Sequence, residues 1–456
     1  MCSETSALGV SDEILEEVES EWKNEKKSPY FIKQRVLFPD DNRYFNFIKK
    51  VFRHELRKSG FKRITVSWVT KSSLLEDSEE KNIIKINPEY SLKTNSTVWV
   101  LNSYMEHDKN EELQPIYYYY VDNVLVQKKD YLKEHFVIGW EIIGEEDPIL
   151  DMECIFIINN ILNQIGLKDT FKIRVNSLWL PKEKIKYFDA LRDYYLDKKH
   201  LLTEETLKNL EENNFEVLNA KSEDEEILLG QAPKMKKFLK KHSKLHLAKF
   251  EEYMEMVGLE YEWDDNYVWT KSYYTNTVWE IVEKETNIVL ARWWRYDTLS
   301  TTINKELRKE IPATGFSVKV ARLIKALRNK NIVLQNKDKL DLYIVQLWDE
   351  AKKQVFPLVQ EARKLWINVL ASLWTPSMKE QMLKAQRSGA EHVIIVWIME
   401  ARNGRWQVRN LPKWTQEEVK KEDLLEYIIE KIGKKNLDFY NPMDDLVKIE
   451  KKEIEE

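Results

Sequence analysis

The chain has 456 residues, enough for two or three domains that each bury a core, with 33% charged and 43% hydrophobic residues. Its formal net charge of −5 excludes a global basic field for nucleic acid, so no DNA partner is expected and any RNA contact must use local basic patches. The two cysteines, Cys2 and Cys154, give neither a disulfide framework nor a zinc site, the acidic N-terminus has no apolar signal region, and no apolar run approaches the roughly 20 residues of a membrane span; a cytoplasmic protein with no membrane partner and no bound metal is expected.

Residues 1–28 are polar and acidic and read as a lead-in. In residues 44–59 Phe45, Ile48, Val51, Phe52 and Leu56 recur at helical spacing, Gly60 ends the helix, and FKRITVSWV reads as a strand. Residues 91–107 predict a strand running into a helix. The segments 115–127 and 136–144 predict two strands of an antiparallel hairpin. Asp147 and Pro148 open a further helix through Cys154, Ile158 and Leu162. Residues 180–260 turn helical and strongly charged, which reads as an insertion. Its basic stretch, Lys234 to Lys249, reads either as an RNA contact or as a solvated helix face that buries Phe238, Leu239, Leu245 and Phe250. Beyond a linker at 329–339, DLYIVQL, INVLASL and HVIIVWI read as strands alternating with helices, NGRWQVRNL as an edge strand and 417–432 as a last helix. This is a small, mainly parallel sheet.

Residues 266–297 read NYVWTKSYYTNTVWEIVEKETNIVLARWWRYD and residues 313–324 read ATGFSVKVARLI. Their order, spacing and the YYT-x-TV-x-E and RYD cores resemble the catalytic core of histidyl-tRNA synthetases. In that family the matching strands read R-G-L-D-Y-Y-T-x-T-V-F-E and G-G-G-R-Y-D, followed by G-F-x-x-G-x-E-R. The later segments LDLYIVQL, SMKEQMLKAQRSGAEHVIIV and the NG-R-VRNL hairpin resemble the family's anticodon-binding domain. The resemblance implies an α+β class II synthetase core, an antiparallel sheet with helices, followed by a C-terminal α/β domain. The expected boundaries are 1–28 lead-in, 29–335 catalytic-like domain with a helical insertion at about 175–262, 338–432 anticodon-binding-like domain and 433–456 charged tail. It also implies tRNA as partner and a homodimer built on residues 35–52, where Asp41-Asn42-Arg43-Tyr44 resembles the family's first motif.

Set against the family pattern, the chemistry is eroded. Histidine adenylation needs ATP, magnesium, cations on the α-phosphate and acceptors around histidine. In the strand matching L-R-P-E-x-T only Leu92 and Thr97 are kept, and Asn95 stands where the carboxylate would be. The F-R-x-E motif matches Val124-Leu125-Val126-Gln127, with Leu125 in place of arginine. The family's Gln and Glu match Val137 and Glu141. Its second catalytic Arg and the nearby Asp match Trp269 and Ser272. Tyr273 and Tyr274 remain, and motif 3 keeps Gly315, Phe316 and Arg322 but has Lys319 and Ala321 where Gly and Glu are usual. The resemblance thus implies Arg322, Gln127 and Lys128 as the surviving catalytic candidates, with Lys129 and Lys133 as further phosphate contacts, and Thr97, Glu141, Tyr273 and Tyr274 as the substrate-binding set. Packing roles for the tyrosines and for Arg322 remain open alternatives.

The chain has 11 glycines and 16 tryptophans, where ordinary usage would give roughly 30 glycines. Trp366 sits in RKLWINVL, a helix-to-strand junction like those of Gly60 and Gly389. Such a junction usually needs a left-handed residue, which costs a bulky L-residue roughly 1–2 kcal/mol. In the resemblance, glycine is usual at Trp99, Trp179, Trp293, Trp294, Trp348, Trp366, Trp397 and Trp414, whereas Trp140 and Trp279 match aromatic positions. Two explanations stand: a chain adapted to bulky residues, or UGA codons that the source reads as glycine and that are written here as tryptophan.

The expected function is a histidyl-tRNA synthetase paralogue with weak or lost adenylation and retained tRNA binding. The alternatives are an active, divergent histidine–tRNA ligase using ATP and magnesium, and a regulatory subunit like the family's relative that partners ATP phosphoribosyltransferase. If the adenylation site is inactive, no cofactor is expected.

Overall fold

The computed structural model describes residues 32–33, 37–78, 83–127, 131–177, 180–212, 222–265, 267, 273–334, 340–374, 377–434 and 437. The chain divides into two compact units, Met1–Leu334 and Gln335–Glu456.

The first unit is built on a nine-stranded sheet. Its strands are β1 (Ile32–Lys33), β2 (Lys62–Arg63), β5 (Ile116–Gln127), β6 (Leu132–Ile143), β7 (Phe171–Ser177), β8 (Tyr261–Trp263), β9 (Thr275–Glu283), β10 (Val289–Arg295) and β11 (Ala313–Lys319). A short hairpin of β3 (Val69–Lys71) and β4 (Tyr90–Leu92) stands apart. Six strands, in the order β5-β6-β11-β10-β9-β7, pair antiparallel, and the short β1, β2 and β8 join in parallel. The large antiparallel sheet with helices is the class II synthetase-like architecture that the motifs imply. The FKRITVSWV segment, expected as one strand, forms only the two residues of β2 and begins β3 at Val69.

Local chemistry explains the helices that cover this sheet. Helix Pro39–Lys58 starts with Pro39 at its first turn beside Asp40 and Asp41, and ends with Arg57 and Lys58. Each charge matches the helix dipole at its end. Ile48, Phe52 and Leu56 form its buried stripe, and it packs against helix Ile149–Gln164. The latter opens where Asp147 Oδ1 accepts the Ile149 N–H at 2.9 Å. Helix Ser96–Glu106 is capped by Asn95, whose Oδ1 accepts the Thr97 N–H at 2.9 Å.

Between β7 and β8 lie helices Pro181–Leu196, Glu204–Glu211, Glu223–Gln231 and Lys241–Val257. Within their basic stretch Leu239 and Phe250 are buried and Phe238 is partly buried, but Leu245 is exposed. Three of its lysines are paired with carboxylates: Lys234 with Asp265, Lys236 with Glu251 and Lys249 with Asp147.

The second unit carries a five-stranded sheet, ordered β13-β12-β14-β15-β16. These are β12 (Leu342–Gln346), β13 (Val369–Ala371), β14 (His392–Val396), β15 (Arg405–Asn410) and β16 (Thr415–Lys420). The first three pair in parallel and the last two antiparallel. NGRWQVRNL was expected at the edge, yet β15 is interior, and β16 occupies a segment expected to be helical. The charged TQEEVK favours a helix by propensity, but pairing with β15 overrides it. The last helix is consequently shorter, Leu424–Ile432.

Candidate active site

A cavity of about 290 Å³ opens on the antiparallel sheet. Strands β5, β6, β10 and β11 supply its walls, with the start of helix Ser96–Glu106 and of helix Val320–Asn329. From one face of β5 come Tyr120, Val124 and Val126, and β6 adds His135 and Val137. Arg292 and Trp294 come from β10, and Ser317 and Lys319 from β11. Arg322 projects from the following helix and Tyr274 from just before β9.

The acidic end is sealed by hydroxyl groups. Glu141 is fully buried, and three side chains donate to its carboxyl: Thr97 Oγ1 at 2.8 Å, Tyr120 Oη at 3.0 Å and Tyr296 Oη at 2.7 Å. Burial pushes the Glu141 pKa up to about 8, and the three hydroxyls only partly offset it. This crowding depends on two glycines. A Cβ on Gly315 would stand 1.8 Å from Glu141 Oε2, and one on Gly139 would stand 2.4 Å from Tyr120 Oη.

The RYD motif turns out to be a lock beneath the cavity. Arg295 is fully buried and holds Asp151 at 3.0 Å, Asp297 at 3.1 Å and the Glu145 carbonyl at 2.8 Å. Burial opposes its charge, but Asp297 and Asp151 outweigh it and hold the guanidinium pKa above its ordinary value. Thr275 donates to Asp297 at 2.9 Å and Thr314 to Asp151 at 3.2 Å. His246 lies 3.8 Å from Asp151, and burial, helped by Arg295, drops its pKa to about 3, which keeps the ring neutral.

The residues singled out from the sequence fall into three groups. Arg322 and Tyr274 line the cavity. Arg322 also donates to the Val289 carbonyl, and burial with the nearby Arg292 lowers its pKa. Lys184 donates to the Tyr274 carbonyl. Thr97 and Glu141 lie immediately behind the wall, joined to each other and to Tyr120. Tyr273 is buried and packs edge-on against Tyr274 at 4.8 Å, outside the lining. Gln127 is a correction: it alternates with Val126 on β5, and strand geometry sends it to the face away from the cavity. Leu125 sits on that same face, so the cavity-facing aliphatic position is Val126. Lys128, Lys129, Trp269, Ser272 and Trp179 lie outside the described residues. Lys133, also expected at phosphate, pairs in β6 with Val126 and is not part of the lining.

Sequence reasoning missed the roles of Tyr120 and Tyr296. The tyrosine of RYD was the one available signal; the run of tyrosines in IYYYYVDNVLVQ has no alternation that singles out Tyr120. Asn95, read from the sequence as the replacement of a substrate-binding carboxylate, uses its side-chain oxygen as a helix cap. Thr94, beside it in the lining, has a buried hydroxyl without a partner among the described residues. Lys93 is fully buried, 2.5 Å from Asp122, and Asp122 also accepts from Ser96 at 2.8 Å. None of the lining residues is a carboxylate, and the described residues hold no cluster of metal-ligating side chains.

Comparison with known proteins agrees with this geometry. The family model for histidyl-tRNA synthetase matches residues 35–323. A histidine–tRNA ligase of Halothermothrix orenii is 30% identical over 341 residues, covering 74% of this chain and 80% of the relative. One from a Thermotoga species is 26% identical over 414 residues, covering 87% and 97%. The crystal structure of apo histidyl-tRNA synthetase from S. aureus superimposes with a TM-score of 0.71 at 24% identity, covering 87% of this chain and 98% of that one. A Bacillus halodurans protein described as an ATP phosphoribosyltransferase regulatory subunit/histidyl-tRNA synthetase shares the fold with a TM-score of 0.59 at 18% identity, covering 82% and 99%.

Proposed function

Because the chain belongs to the histidyl-tRNA synthetase family, we propose that it is a paralogue with weak or lost histidine adenylation that still binds tRNA. The observation that carries this reading is the aliphatic wall of the cavity, Val124, Val126 and Val137, on the two strands that a synthetase of this family would use to hold α-phosphate and histidine. Phosphoryl-centred chemistry needs fixed cations where charge develops. Losing one preorganised donor typically costs about 10²–10³ in rate. Of the cations at the cavity, Arg292 is tied to Glu280 at 3.3 Å and Arg322 to a backbone carbonyl. Among the described residues no lining carboxylate is available for magnesium, so these residues do not fit the ATP–magnesium pair of the family.

tRNA binding is assigned to the second unit, residues 338–432 as an anticodon-binding-like domain. Assembly is assigned to a homodimer through the region of residues 35–52 and the neighbouring strand, in the cytoplasm. The described residues contain no helix long and apolar enough to cross a membrane. An active, divergent ligase is the second reading, favoured by Lys319 and Arg322 lying together on the cavity wall. The regulatory-subunit reading has only the fold of the Bacillus halodurans protein in its favour.

The deciding experiment is histidine-dependent ATP–pyrophosphate exchange, run beside tRNA filter binding. No exchange and salt-sensitive tRNA binding are expected, since phosphate contacts dominate such affinity. Robust exchange would establish the active ligase. Absence of tRNA binding at low salt would leave the protein-regulator reading.

A further inference from the structure

We propose that the natural protein carries glycine at the positions written here as Trp348, Trp366 and Trp414, through UGA codons read as glycine, and that the other tryptophans at positions where the family resemblance has glycine, Trp294 of the cavity wall among them, share that reading. The first support is backbone conformation. Trp348, Trp366 and Trp414 have φ of +78°, +64° and +55°. The other non-glycine residues with positive φ are Asp108, Asp169, Asn276, Asn287 and Asn331. Asn and Asp tolerate the left-handed region, whereas bulky side chains do not. The chain has 16 phenylalanines and 21 tyrosines, yet none of the described ones has positive φ. General tolerance of bulk would have spread such conformations over other large residues. They fall on tryptophan alone.

The second support is hydrogen bonding. At the end of helix Trp348–Lys364 the Trp366 N–H donates to the Arg363 carbonyl and the Ile367 N–H to the Ala362 carbonyl, both at 3.1 Å. Gly60 and Phe61 repeat this at 3.2 and 2.9 Å, Gly166 and Leu167 at 3.1 and 2.9 Å, and Gly258 and Leu259 at 3.1 and 3.4 Å. The motif is a helix terminator that glycine usually fills and that asparagine fills at Asn331, the residue types that accept a left-handed backbone. The third support is the lack of compensation: the side chains of Trp348 and Trp414 are 67% and 70% exposed, so their bulk offsets no backbone strain by packing. Trp140 behaves as a native aromatic, stacked on Phe316 at 4.1 Å with its indole N–H donated to Cys154 Sγ at 3.1 Å.

The consequence for the site lies on β10. Arg292 and Trp294 line the cavity, Trp294 pairs with Gly315, and Tyr296, two residues on, reaches Glu141. Removing the indole at 294 frees the volume of a large planar side chain beside Gly315, whose neighbour across β11 is Glu141. The inference rests on backbone geometry and not on the functional reading, so the two can fail separately.

The test is peptide mass spectrometry of the protein purified from its source cells. Peptides spanning 293–294, 348, 366 and 414 are expected at the masses for glycine. Masses for tryptophan at these positions would overturn the proposal. A recombinant chain with Trp348→Gly, Trp366→Gly and Trp414→Gly provides a second readout. Its second unit is expected to melt at a higher temperature than that of the chain as written, and an equal or lower midpoint would remove the conformational argument.

Discussion

Tyr296 Oη donates to Glu141 Oε2 at 2.7 Å, although Tyr296 follows directly on β10 and Glu141 lies in β6, strands separated by β11. The span is possible because Gly315 of β11 lies between them, paired with Glu141 on one side and with Trp294 on the other. Gly315→Ala is expected to destabilise the first unit by about 1–3 kcal/mol through overpacking against Glu141. Urea denaturation measures it, and a midpoint equal to that of the parent chain would contradict the tight passage.

Glu141 links stability to pH. Its folded pKa of about 8 stands above the ordinary 4.5, so the folded state keeps a proton that the unfolded chain gives up. Its contribution is fully present below the unfolded value and is lost as pH rises through the folded one. Thermal melts across this window should fall toward alkaline pH, and Glu141→Gln, which cannot ionise, should flatten the decline. An equally steep decline in the variant would show that another group carries it.

Arg295 is the most costly residue to remove. Arg295→Leu would leave Asp151 and Asp297 facing each other without their cation. Breaking a buried pair by removing one partner costs about 3–5 kcal/mol. The expected result is loss of folded protein or a large drop in denaturant midpoint, with Arg295→Lys intermediate because it keeps the charge but not the fork. A Leu variant as stable as the parent would mean that the network is replaceable.

Trp366→Gly alone should stabilise the second unit by about 1–2 kcal/mol, the cost of a left-handed L-residue. The comparison is made by denaturant titration of the recombinant chain. A loss of stability would mean that the indole contributes more by packing than its backbone costs.

Helix ends and the hairpin register were legible in the sequence because each depends on local chemistry. Asp147 and Pro148, Ser377 before helix Met378–Arg387, and Gly60 mark their boundaries one residue at a time. Of the residues singled out from the sequence, Arg322 and Tyr274 line the cavity, while Thr97 and Glu141 are bonded to each other and to its wall residue Tyr120. What failed was facing. A one-residue choice in β5 decides whether Leu125 and Gln127 or Val124 and Val126 meet the cavity, and apolar residues on both faces leave no alternation to read. Asn95 shows a second limit: the sequence marks only the missing carboxylate, whereas the helix-cap role depends on where the Thr97 N–H lies. β16 shows a third, because strand pairing in the second unit comes from a partner strand and not from the segment itself.

The outer strand β16 also bears on how the chain behaves in a crowded solution. A free strand edge offers unpaired backbone groups to any passing chain. Along this edge Gln416, Glu417, Glu418 and Lys420 are exposed, so an incoming strand would have to desolvate several charges to add itself. The opposite edge, β13, is only three residues long, too short to template a stable addition. A sheet whose core strands β12 and β14 are wholly buried and largely apolar is in this way shielded from polymerising, by charge along one border and by brevity along the other.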